Sequence, residues 1–134
     1  MTTARATSFA TLKDLHGYIK CLLDGHTESY CYNFGDNGEG AWGDITAQLH
    51  TPMVALPPAE MRARWGSTKG AHGKSVIVTL NGQGHGHSFV AVVADIGPPH
   101  VIDLNPAALA AAGLPTDTEL DCAASWDWQV QPIA

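Results

Sequence analysis

Asp103 stands sixteen residues after His87, and His87 lies in a stretch, Gly84-His85-Gly86-His87-Ser88-Phe89, that opens an apolar run. A carboxylate beside an imidazole fixes its tautomer and stabilises its protonated form, which is what a general base needs. An antiparallel pairing centred on Asp95 sets His87 opposite Asp103, with Gly97 free to take an unusual backbone angle. Pro98 and Pro99 then begin the return strand, where proline is best tolerated. A register centred near Gly97 instead sets Ala91 opposite Asp103 and dissolves the pair.

Such a base serves a nucleophile, and three cysteines compete for the role: Cys21, Cys31 and Cys122. Cys31 is preferred because it precedes Gly35, Gly38 and Gly40, whose backbone N–H groups can approach an oxyanion. Its thiol becomes a thiolate only with His87 in hydrogen-bond reach. Cys21 falls inside an expected helix and packs; Cys122 falls in a tail without pattern. A structural reading of the same residues is that Asp103 and Asn105-Pro106 cap a turn and His87 ends a strand.

A cysteine in the first third, Gly-His opening an apolar strand and a strand ending in Asp-x-Asn-Pro resemble the papain-like/transglutaminase-like cysteine hydrolases. The sequence is similar in particular to small bacterial papain-fold toxin domains, mainly over Gly84 to Pro106. The resemblance implies an amidase, deamidase or protease that needs no cofactor. It makes Cys31 the nucleophile, His87 the base and Asp103 the orienting carboxylate, with Gly35, Gly38 and Asn105 near oxyanion or substrate. In that group the cysteine usually opens a helix; here Ser29 to Phe34 reads as a strand.

Two other chemistries fit the same sequence. His85 and His87 are two apart, so on a strand both imidazoles point one way and can chelate a metal, with His72, His100 or Asp103 adding a ligand. Alternatively the chain has no chemistry and binds a partner, as an immunity protein does, through Tyr32, Asp36, Glu39, Trp42 and Asp44. Acidic loops steer basic partners and aromatic residues anchor interfaces.

The elements that must position these residues follow from periodicity. Leu12, Leu15, Ile19 and Leu22 form one stripe of a helix over Phe9 to Leu23, ended by Asp24-Gly25. Glu28 to Phe34 alternates as a strand; Asp44 to His50 fits a short helix or a strand. Pro57-Pro58 starts a helix that runs to Trp65, and Gly66 to Lys74 is a loop. Ser75 to Leu80, His87 to Ala94 and His100 to Leu104 are β-branched strands, the middle one apolar on both faces and therefore central. Ala107 to Ala112 adds a helical turn or two, and Trp126, Trp128 and Val130 alternate as an edge strand. The sum is an α+β domain: an N-terminal helix and short helices on a mainly antiparallel sheet, built largely by the second half.

The chain has 134 residues, a formal charge of −6 and 45% hydrophobic residues, which fits one domain over 1–134 and excludes intrinsic disorder. The acidic balance speaks against nucleic acid, and no apolar run approaches a membrane span. The expected partner is a protein or peptide. An odd cysteine count behind an N-terminus with no signal-peptide pattern predicts free thiols. The expected location is the cytoplasm, or export by a route independent of a signal peptide.

Overall fold

A computed structural model describes residues 2–81 and 88–128. Six strands close on themselves: β1 (Thr2–Ser8), β2 (Met53–Leu56), β3 (Ser75–Asn81), β4 (Ser88–Ile96), β5 (Val101–Leu104) and β6 (Asp121–Trp128). Around the barrel they run β1-β5-β2-β4-β3-β6, each hydrogen-bonded on both sides. β1 pairs with β5 and β2 with β4 in parallel, while the other four pairings are antiparallel. This corrects the α+β expectation of helices on an antiparallel sheet. The fold is a closed mixed barrel with short helices outside it. The expected edge strand at Trp126 is β6, which lies between β1 and β3; Val130 falls outside the described residues.

Strand alternation fills the interior. Val76 and Val78 point inward from β3, and Phe89, Ala91 and Val93 do so from β4. Ile102, Leu104 and Trp126 complete the layer, while Ile77 and Val90 face out. The outer face of β4 is thus open at Ser88 and Val90 and covered only further along, at Ala94. Each large aliphatic side chain so buried contributes about 1.5–3 kcal/mol, so closure of the barrel is the main source of stability.

The register decides what the His87–Asp103 hairpin was to decide. β4 and β5 do not pair, because β2 lies between them. The Gly97-Pro98-Pro99 link thus passes over β2 instead of folding β5 back on β4. Asp103 pairs instead with Thr7 on β1 and with Ala55 on β2.

Five helices decorate the barrel: α1 (Leu12–Leu23), α2 (Glu28–Cys31), α3 (Pro58–Trp65), α4 (Thr68–Ala71) and α5 (Pro106–Ala111). α1 starts in a capping box, in which Thr11 accepts from the Asp14 N–H and Asp14 accepts from the Thr11 N–H. α3 begins at proline as expected and ends at Gly66 in the left-handed region. The expected strand over 28–34 is instead α2 and a following turn, capped by the Thr27 hydroxyl. α4 interrupts the expected 66–74 loop, and residues 44–50 carry no strand or helix beyond a single bridge at Ile45.

α1 and the turn after α2 meet backbone to backbone. A side chain on Gly17 would collide with the Phe34 carbonyl, and one on Gly35 with the Asp14 carbonyl. The Asp36 N–H donates to the same Asp14 carbonyl at 3.1 Å. Glycine is required at both positions by this approach, and the two helices form a fixed hairpin.

Candidate functional site

The hairpin settles the cysteines. Cys21 on α1 and Cys31 on α2 form a disulfide, with Cα atoms 5.5 Å apart. A sulfur so bonded has no thiolate to offer, so the expected nucleophile at Cys31 is withdrawn. The expected free thiols reduce to Cys122, buried in the barrel, whose pKa is raised by burial and then by the Asp121 charge. His85 and His87 lie outside the described residues. The expected oxyanion glycines are also occupied. Gly35 is packed on α1, and the Gly38 N–H donates to Asp36 Oδ1 at 2.6 Å. Asn105, expected beside a substrate, is fully buried and caps α5.

Asp103 belongs to a different constellation. It accepts a hydrogen bond from the Thr7 hydroxyl. On the next strands, Ala55 pairs with Asp103 on one side and with Asp95 on the other. Asp95 Oδ1 accepts from the Ala41 N–H and its neighbour Ile96 N–H, each at 2.8 Å. Burial pushes Asp103 up to about 6, and the charges of Asp95, Asp14 and Asp36 push in the same direction. Asp36 and Asp95 are raised as well, chiefly by burial. Such a carboxyl keeps its proton into mildly acidic pH, up to about 6, but Asp103 lines neither of the two clefts described below.

This cluster fixes a pH dependence. A carboxyl raised in the folded state is protonated in both states at low pH, where it carries no penalty. Between its unfolded value and about 6 the unfolded chain ionises first, so stability falls as pH rises. At about 1.4 kcal/mol per unit, the penalty approaches roughly 3 kcal/mol above neutrality. Asp103→Asn removes it while leaving an oxygen for Thr7. Urea unfolding should show the variant more stable by about 2 kcal/mol near pH 8 and unchanged near pH 4.

The expected acidic patch is dispersed. Glu39 and Tyr32 are exposed, but Asp36 is half-buried. Asp44 Oδ2 meets His72 Nε2 at 2.5 Å, and Trp42 stacks on that imidazole while packing against the core. His72 thus has a carboxylate partner. His100, expected as a further ligand, is exposed at a positive φ of 62°. Among the described residues no group of three or more His, Cys, Asp or Glu is placed to hold a metal ion.

The surface that sequence reasoning missed is the hairpin itself. His26, Tyr30 and Phe34, four apart, stack in a ladder with ring centroids 4.6 and 5.3 Å apart. With Lys20, Asp24 and Gly17 they line a cleft of about 330 Å³ beside the disulfide. A second cleft, of about 260 Å³, lies between Leu12 and Leu15 of α1 and Ala47, Leu49 and Pro106. The spacing of four was present in the sequence, but alternation of Tyr30, Tyr32 and Phe34 described it equally well.

No described helix is long and apolar enough to cross a membrane. No protein-family model matches the chain, and no curated protein does. Among solved structures the chain is similar to the Streptomyces papain inhibitor, with a TM-score of 0.48 and 20% identity over 93% of this chain and 92% of that one. That protein is named as an inhibitor of papain. The hydrolase, thiol-protease and papain-fold toxin expectations rested on a Cys31 thiolate, and the Cys21–Cys31 bridge removes it.

Proposed function

We propose that this protein is a non-catalytic module that binds a protein partner through the α1–α2 hairpin. The observation that carries the reading is a rigid hairpin, fixed by a disulfide and two glycine contacts, that leaves Ile19, Leu23, Tyr30, Tyr32 and Phe34 exposed. Apolar surface held rigidly in water is unfavourable for folding alone, whereas it lowers the ordering cost of an interface. Tyrosine is also a favoured interface anchor. The disulfide supports action in an oxidising environment, reached by export, over a reducing cytoplasm.

The test is a photo-reactive residue in place of Tyr30, with a control at exposed Ala63 on α3. In the producing cells and their medium, the hairpin probe should give a discrete adduct that excess unlabelled protein competes away. No adduct, or the same adducts from both positions, would remove the reading.

A further inference from the structure

The leucine stripe of α1 faces the wrong way for a core. Tyr18 and Cys21 are the buried residues of this helix. At about 100° per residue, Leu12, Ile19 and Leu23 fall on one line roughly opposite Cys21. They are 62%, 42% and 82% exposed, and Leu15 and Leu22 beside them are only half-buried. Gly17 and Gly35 cause this orientation, because the Gly17 side must approach the turn after α2. The stripe runs at its N-terminal end into the cleft formed with Ala47, Leu49 and Pro106.

We propose that this stripe and cleft seat an amphipathic helix whose flank is acidic. The inference rests on the partner-binding reading and names the occupant. The geometry selects a helix, since Leu12, Ile19 and Leu23 have the spacing of seven and four used by helix–helix seams. An extended peptide has no strand to extend, because all six described strands are paired on both sides. Charge selects the sign. The exposed charged or titratable residues of α1 beside the stripe are Lys13, His16 and Lys20, in a chain whose net charge is −6. Lys13 is engaged by Glu119, which leaves Lys20 and His16 to face the occupant. Asp14 is turned inward to the capping box. A second copy fits less well. A two-fold antiparallel pairing of α1 sets the lysine flank of one copy against the lysine flank of the other and joins two acidic chains.

Two labelled synthetic helices of about 18 residues test this, both with leucine on a heptad seam, one flanked by glutamate and one by lysine. At about 50 mM salt, fluorescence anisotropy should show the glutamate peptide binding at least about tenfold tighter. Leu23→Asp and Ile19→Ser should each weaken it about tenfold with melting temperature preserved, since both side chains are exposed, and Lys20→Glu should reverse the peptide preference. Equal binding of the two peptides, or unchanged binding by Leu23→Asp and Ile19→Ser, would overturn the proposal. A dimer in solution that Leu23→Asp converts to monomer would also overturn it, in favour of a second copy. Failure of the peptides alongside a specific Tyr30 adduct would refute this occupant and leave the binding reading intact.

Discussion

Asn105→Ala is expected to cost about 3–5 kcal/mol of folding stability, lowering the melting temperature by roughly 10–15 °C. The side chain is fully buried, and both ends of its amide are used twice. Its Oδ1 accepts from the Met53 N–H at 2.8 Å and the Ala108 N–H at 2.9 Å. Its Nδ2 donates to the Thr46 carbonyl at 3.0 Å and the Thr51 carbonyl at 3.2 Å. Truncation removes the α5 cap and leaves the Met53 and Ala108 N–H groups to find new acceptors, while the Thr46 and Thr51 carbonyls keep their bonds from Gln48. Asn105→Asp separates the two halves of the effect. It keeps the acceptor but turns a carboxylate toward two carbonyls, so its deficit should be large at pH 7 and shrink as the carboxyl is protonated near pH 4. Thermal melts at both pH values read this directly. Because Asn105 ties down the segment from Thr46 to Thr51, Asn105→Ala should also loosen Ala47 and Leu49, which wall the second cleft.

Removing the Cys21–Cys31 bridge should destabilise the hairpin by about 3 kcal/mol, from the loop entropy that a ten-residue separation restores. The loss should be local. Tyr18, Cys21 and Cys31 form a small cluster of their own, apart from the barrel core around Val78 and Trp126. A four-residue helix such as α2 cannot hold itself together in water. In Cys21→Ser/Cys31→Ser, amide exchange over 12–35 should therefore accelerate about 100-fold, with strands β3 and β4 little changed. Alkylation gives a second readout. Without reductant one thiol per chain should label, slowly, as a buried Cys122 requires. Rapid labelling of Cys31 in untreated protein would contradict the bridge and restore the question of its reactivity.

Several elements were legible because their signals are local. The β-branched runs read from Ser75, His87 and His100 contain the strands β3, β4 and β5, Pro58 opens α3, and α1 carries its helical periodicity and cap in its own sequence. Strand neighbours were not legible. The choice between a β4–β5 hairpin and a β2 strand inserted between them is made by closing the barrel over Val54 and Leu56, two buried residues of a four-residue strand with weak local signal. That one insertion separates Asp103 from any partner on β4 directly opposite it and brings Ala55 beside it, while β1 on the other side of β5 supplies Thr7.

The cysteines and the leucine stripe show the same division. The sequence by itself determined that Cys21 lies inside an amphipathic helix, that Cys31 precedes a glycine-rich loop and that four apolar residues share a helix face. Tertiary structure decided that the two sulfurs meet, because a reversal at Gly25 to Thr27 lays α2 on α1. It also decided that the stripe faces water. Periodicity fixes which residues share a face, but the direction of that face depends on where another backbone can approach most closely. Here that place is Gly17 against Phe34 and Gly35, so Gly17 turned inward with Tyr18 and Cys21 beside it, and Leu12, Ile19 and Leu23 turned out.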